Sequence, residues 1–289
     1  MNPKNSPPRS FSSGPTALRP DLGEHELEGL SLGGLETTLA MPRWDVCFDL
    51  GRCPPFAVAR STVLITHAHM DHAGGIAYHC AMRDLLHLTP PTYVVPRENA
   101  DDFQALLAVW RRLDRSPLPC TVVPLSPGET HALTRDRHVR AFRSPHRVPC
   151  QGYALISERH RLLPSLVGRT ETEIRDLRLS GAPVSARSER IEVAFCGDTV
   201  IDVVEHERAV RTARLLLLEV TFLDDRVSVT AARAKGHVHL DEVIERADLF
   251  ENEHIVFTHF SQRYSPGEVH EIVGRRLPET LRSRVTVLV

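Results

Sequence analysis

Lysine is nearly absent from this 289-residue chain: Lys4 and Lys235 stand alone against 33 arginines. With 21 prolines, that bias reads as the mark of a GC-rich coding sequence rather than of arginine-specific recognition. Cysteine is scarce as well. Six thiols in a chain this long, with no Cys-x-x-Cys pair, exclude a disulfide scaffold. No uninterrupted apolar run approaches the ~20 residues of a membrane helix, so no span is expected. A formal net charge of −2 excludes any argument for nucleic-acid binding from global charge. Residues 1–20 lack both an acidic side chain and the apolar core of a signal peptide, and their prolines break any amphipathic transit helix. They read as a disordered or loosely attached tail. The expected compartment is the cytoplasm.

What remains is ordinary for a globular protein, with 42% hydrophobic and 25% charged residues. The length suits one large domain, expected over 21–289. Leu30–Leu39, Trp44–Phe48 and Thr62–Thr66 read as strands, the last apolar enough to be buried. Helical patterns follow at 73–88 and 98–113, and strands at 92–95, 120–125, 138–143 and 152–157. The polar stretch 158–190, with a helical patch at Glu171–Leu179, reads as a short arm or insertion. The alternation then resumes: strand Ile191–Phe195, helix 201–213, strand Leu215–Val220, helix 240–250, strand Ile255–Thr258, a helix opening on Pro266, and strand Val285–Val289. Such mixing predicts an α/β fold whose sheets are covered by helices.

The informative segment is Thr66-His67-Ala68-His69-Met70-Asp71-His72, directly after a predicted buried strand. Chance placement of the 16 histidines would produce His-x-His-x-Asp-His only on the order of a few times in a thousand such chains. Imidazole and carboxylate without thiolate suit Zn²⁺, with Mn²⁺ or Fe²⁺ as alternatives. The spacing sends His67 and His69 one way and Asp71 and His72 another, as two adjacent metals require. Three further strand ends carry candidate ligands: His146, Asp198 in Gly197-Asp198-Thr199, and His259.

These residues, in this order, resemble the metallo-β-lactamase-fold hydrolases. The resemblance implies a four-layer αββα sandwich with metals at the strand ends. It implies that His67, His69 and His146 hold one metal, that Asp71, His72 and His259 hold the other, and that Asp198 bridges them. Thr258-His259-Phe260-Ser261-Gln262-Arg263-Tyr264 is similar to a segment of the ribonuclease Z branch, the tRNA 3′-processing endonucleases. Gly236-His237, 22 residues before His259, and Glu219-Val220-Thr221-Phe222 resemble two further motifs of that branch. Leu218, Val220 and His239 depart from its usual His, Ala and Thr or Ser.

The resemblance implies a zinc-dependent phosphodiesterase or endoribonuclease using a hydroxide between two metals roughly 3.5–4 Å apart. The leading substrate is a precursor tRNA 3′ trailer, and a homodimer is expected. In this scheme Asp71 ligates and orients the nucleophile, and His237 is the general acid, held cationic by Glu219. Arg263, Tyr264 and Ser261 are candidate substrate contacts, with Arg263 and Tyr264 either touching phosphate or fixing the loop around His259. Asp49, in Phe48-Asp49-Leu50-Gly51, and Thr199 are expected to brace the ligands from behind. Cys47, Cys53 and Cys196 read as structural. A hydrolase of a small molecule (a cyclic phosphodiester, lactone or thioester) on the same fold stays open. A binding module with lost catalysis is disfavoured, because every ligand position is filled and His237 is present.

Overall fold

The computed structural model describes residues 17–289, so most of the expected tail lies outside the described residues. Leu18 already pairs antiparallel with Gly29 through two 3.0 Å backbone hydrogen bonds. Fourteen strands follow in chain order: β1 (Glu28–Gly33), β2 (Glu36–Met41), β3 (Val46–Phe48), β4 (Thr62–Leu64), β5 (Thr92–Pro96), β6 (Thr121–Leu125), β7 (Thr130–Ala132), β8 (Arg137–Arg143), β9 (Gln151–Leu162), β10 (Ser185–Phe195), β11 (Leu215–Glu219), β12 (His254–Thr258), β13 (Phe260–Ser261) and β14 (Val285–Val287).

They form two seven-stranded sheets, ordered β13-β1-β2-β3-β4-β5-β6 and β14-β12-β11-β10-β9-β8-β7. Leu39, Phe48, Leu64 and Val94 of the first sheet meet Val139, Tyr153, Phe195 and Leu217 of the second in one apolar layer. The outer face of the first sheet (Cys47, Val63, Ile65, Tyr93) packs on Ile76 and Cys80 of helix Ile76–Leu85 and on Phe103 of helix Ala100–Asp114. The outer face of the second (Ala194, Leu216, Leu218, Phe257) packs on Val204 and Val210 and on Val269 and Ile272 of helix Pro266–Arg276. Three apolar layers between four layers of structure make the αββα sandwich.

Several expected elements divide. The strand read over 30–39 is the hairpin β1–β2, turned at Gly34 with φ +73°. The helix read over 73–88 separates into Met70–Ala73 and Ile76–Leu85, because Gly74 and Gly75 press on backbone. The helix at 201–213 is two short ones, Asp202–His206 and Arg208–Thr212. The arm is flanked by strand: β9 and β10 run out together from Ser157↔Arg190 to Leu162↔Ser185, and helix Glu171–Leu179 caps the excursion. These extensions are polar because neither face meets a core. Ion pairs such as Arg159–Glu192 at 3.4 Å join the strands instead. Among the described residues no helix is long and apolar enough to cross a membrane.

Strand direction places the site. β3 and β4 are parallel neighbours, as are β10, β11 and β12, so their carboxyl ends lie side by side. In such sheets the crevice beyond the strand carboxyl ends is where loops converge and ligands bind. Gln151 N–H donates to Thr66 O at 3.0 Å, tying the two sheets together at that edge.

Candidate active site

Every expected ligand arrives at this edge. His67 follows β4, His146 follows β8, Asp198 follows β10 and His259 follows β12. His67, His69, His146 and Asp198 each offer a donor atom within 4.8 Å of the others, and so do Asp71, His72 and His259. His67 Nε2 lies 3.0 Å from His69 Nδ1 and 3.8 Å from Asp198 Oδ2. On the other side, His72 Nε2 and His259 Nε2 each stand 3.3 Å from Asp198 Oδ1 and 3.6 Å from Asp71 Oδ2. Asp198 therefore turns one oxygen to each group.

The cluster has the chemistry of a divalent-cation site. Asp198 Oδ1 and His146 Nε2 are buried and have no hydrogen-bond partner. Orphaned acceptors are rare in native interiors unless an ion or water satisfies them. The protonation states agree. Burial pushes His67 well below the usual imidazole value and lowers His69 and His146, leaving lone pairs free to ligate. Burial would raise Asp198, but the imidazoles of His259, His72 and His67 hold it far below the carboxylate range. Asp71 is drawn down to about 2 against its own burial by His259 and His72. His72 is the exception: burial would lower it, yet Asp198 and Asp49 push it up to about 9, so proton and cation compete for its Nε2.

The ring nitrogens behind these donors are anchored. His146 Nδ1–H donates to Gly236 O at 2.8 Å, which leaves Nε2 as the ligating atom. His72 Nδ1 is 2.7 Å from Asp49 Oδ2, while Asp49 Oδ1 accepts Thr66 N–H at 2.7 Å. Asp49 (φ 54°) and His259 (φ 61°) both sit in the left-handed region, a local strain that tends to collect at functional sites. Gly197 is also left-handed, and a Cβ there would stand 2.7 Å from Thr66, so glycine lets the Asp198 loop close on the His67 loop. Asp49→Asn faces either Thr66 N–H or His72 Nδ1–H with an amide donor in place of an acceptor. We expect it to weaken cation binding by about 10–100-fold. Competition against a chromophoric chelator measures this, and unchanged affinity would show that the contact orients nothing.

Glu219, buried at the end of β11, organises the remainder. Its Oε1 lies 2.9 Å from His237 Nδ1 and accepts Thr199 N–H at 3.1 Å. Its Oε2 accepts Thr221 O–H at 2.7 Å. Thr199 thus braces this carboxylate through its backbone, while its hydroxyl donates to Val200 O. Burial would lower His237, but Glu219, with Asp198 behind it, raises it to about 9. The acid form of His237 is thereby favoured, and its Nδ1 lies 3.9 Å from Asp198 Oδ2.

The candidate substrate contacts separate. Arg263 is exposed, and its Nη1 donates to Ser261 Oγ at 3.1 Å. Ser261 is buried in β13. Tyr264 is buried, its hydroxyl accepting Leu223 N–H at 3.0 Å and donating to Asp224 Oδ1 at 3.2 Å, so it fixes the 221–224 loop. His239 caps helix Leu240–Glu245, accepting Asp241 N–H on Nδ1. Thr221 had no assigned role in the sequence. Its hydroxyl also accepts from His259 Nδ1 at 3.0 Å, joining a candidate ligand to the Glu219–His237 pair. It lay within a motif, but nothing in the motif says that the hydroxyl would bridge two histidine-bearing loops.

Residues 51–260 match the β-lactamase superfamily domain. The chain is 39% identical to tRNase Z TRZ1 of Arabidopsis thaliana over 91% of its own length and 95% of that protein. It is 36% identical to the chloroplastic tRNase Z TRZ2 of the same plant, over 88% of this chain and 72% of that one. Among solved structures, the metallo-β-lactamase fold protein YhfI of Bacillus subtilis aligns with a TM-score of 0.61 at 12% identity, covering 90% of this chain and 93% of that one. The human tRNase Z short form aligns at 0.52 and 21%, covering 94% and 93%, and at these identities the structural matches speak to fold alone.

Proposed function

This chain belongs to the β-lactamase superfamily and, within it, to the ribonuclease Z family, and on that footing we propose that it removes the 3′ trailer of precursor tRNA by hydrolysing one phosphodiester. It is a metal-dependent hydrolase. We propose Zn²⁺ as the metal, two per chain, one held by His67, His69 and His146 and the other by Asp71, His72 and His259, with Asp198 shared. When bound, such cations neutralise phosphate charge and supply a hydroxide-like nucleophile at neutral pH.

The observation that carries the reading is the position of His237 beside the ligand cluster, its Nδ1 2.9 Å from the buried carboxylate of Glu219. Cleavage of a phosphodiester leaves a ribose 3′-oxygen that needs a proton. His237 holds one on the open side of the cluster, and Glu219 orients the ring and keeps it charged. Asp71, on the opposite side of Asp198, orients the attacking group. Arg263 reaches solvent at the rim, where a guanidinium can meet a phosphate of the flanking strand. The homodimer rests on the family likeness.

Metal-loaded protein is incubated with a precursor tRNA carrying a 3′ trailer and, separately, with bis(p-nitrophenyl) phosphate. We expect cleavage of both. Cleavage of the small diester alone would replace the RNA substrate with a small molecule. Cleavage of neither, at full metal occupancy, would remove the phosphodiesterase reading.

A further inference from the structure

The six cysteines occupy very different surroundings. Cys47 and Cys196 are fully buried, and burial pushes both thiols up. Burial drives Cys53 up to about 12. The Cys150 thiol donates to Asp198 O at 3.4 Å and is likewise pushed well up by burial. These four are poor nucleophiles, because the thiolate is the reactive form.

The other two meet on the far side of the first sheet. Cys80 lies buried in helix Ile76–Leu85, with its thiol donating to Pro119 O at 3.4 Å. Cys120 is the next residue after that carbonyl, half-buried at the head of β6, and it packs against the apolar cluster that holds Cys80. Arg111 Nη2 stands 3.4 Å from Cys120 Sγ. That guanidinium is itself fixed, its Nε donating to Pro117 O at 2.9 Å and its Nη2 to Leu118 O at 2.9 Å. Cys120 also opens onto a surface cleft of about 720 Å³ shared with Asp101, Gln104, Ala108 and Thr121, so a small solute can reach it. Asp84 on the Cys80 helix and Tyr93 of β5 also face the pair, and Asp101 lines the cleft beside Cys120. The pattern of a partly exposed thiol beside a fixed cation, with a second thiol 3.4 Å from the carbonyl that precedes it, is that of a reactive cysteine with its resolving partner.

We propose that Cys120 and Cys80 form an oxidation site: a peroxide is reduced at Cys120, and Cys80 closes a disulfide that ties helix Ile76–Leu85 to β6. The Cys120 thiolate attacks one peroxide oxygen, the O–O bond breaks, and hydroxide leaves and takes a proton as water. The product is a sulfenic acid on Cys120. The Cys80 sulfur then attacks the Cys120 sulfur, the S–O bond breaks, and the departing oxygen leaves as water with the Cys80 proton. Two thiols and one hydrogen peroxide thus become one disulfide and two waters, the two sulfurs supplying both electrons. In support, the neighbouring Cys80 thiol and the facing Arg111 lower the Cys120 thiol to about 7, whereas the Cys120 neighbour and burial raise Cys80.

The full-length, metal-loaded protein is treated with stoichiometric hydrogen peroxide and mapped by non-reducing peptide mass spectrometry. The expected product is a single Cys80–Cys120 cross-link, with loss of two hydrogen masses and of two titratable thiols. Cys80→Ser should stop at a Cys120 sulfenic acid that dimedone traps, and Cys120→Ser should leave Cys80 reduced. In the untreated wild type, iodoacetamide at pH 7 should label Cys120 at least about tenfold faster than any other cysteine. Oxidation scattered over the other four cysteines would overturn the proposal. So would alkylation of Cys120 no faster than that of Cys53, a comparison that needs no variant to fold.

Discussion

His237→Ala is expected to cleave precursor tRNA about 10²–10⁴-fold more slowly than the wild type in kcat, while its metal content should stay at the wild-type level. The size follows from the role, since a positioned general acid typically contributes that much to a proton-requiring step. The sparing of metal follows from geometry. His237, Asp198 and His259 stand close enough to form a cation-holding group of their own. His237 Nδ1, however, the nitrogen 3.9 Å from Asp198 Oδ2, is already engaged by Glu219 at 2.9 Å. With its hydrogen donated to Glu219, that nitrogen has no lone pair for a metal. Elemental analysis alongside single-turnover kinetics separates the two roles. If the variant loses one metal per chain, His237 is a ligand and the proton donor must be sought elsewhere.

The same assignment fixes the sign of the pH dependence. Because Glu219 and Asp198 outweigh burial and raise His237 to about 9, the acid form prevails at neutral pH and is lost only as pH rises through about 9. The alkaline limb of the kcat profile should disappear in His237→Ala. A limb that persists unchanged would belong to another group.

Asp198→Asn gives the second large effect, on metal binding itself. The carboxylate is the one side chain facing both ligand groups, and Oδ1 is left without any partner of its own. An amide keeps the shape but removes the charge, and it directs an N–H at one set of lone pairs. We expect cation affinity to drop by more than about 10²-fold, beyond the 10–100-fold typical of losing a contact behind a ligand. Thermal melts give an independent reading. A ligand present at about 1,000 times its Kd stabilises the folded state by about 4 kcal/mol. Chelation should therefore lower the wild-type Tm by several degrees and leave the variant's Tm almost unmoved. A variant that still responds to chelator like the wild type would show that Asp198 is dispensable for binding.

What could be read in advance depended on how local the signal was. His67 to His72 announce themselves because four donors fall within six residues of a strand end. His146, Asp198 and His259 were legible only as strand-end residues in the right order, and the family resemblance made a set of them. The split helices near Gly74 and Glu207 escaped because their apolar period continues across the break. β13 has only two residues, too few to carry a period. The outward halves of β9 and β10 looked like loop because solvent on both faces removes the alternation on which strand reading depends. Thr221 is the instructive omission: a hydroxyl that accepts from one histidine and donates to the carboxylate behind another is a fact of three-dimensional convergence, without any one-dimensional trace.

His259 is also the residue at which the chain passes from one sheet to the other. β12 ends at Thr258 beside β11, and β13 begins at Phe260 beside β1, where Leu32 faces Phe260. His259 N–H donates to Ser31 Oγ of the opposite sheet at 3.0 Å. The last donor is thus mounted on the hinge pin of the sandwich rather than on either leaf. Any slippage of the two sheets against each other moves His259 away from His72, a residue 187 positions earlier in the chain, before it moves anything within one sheet. A cation held by both would act as a rivet through the leaves. Metal occupancy would then report the seating of the whole sandwich, and a substitution far out in the intersheet layer would dim catalysis without touching a single ligand.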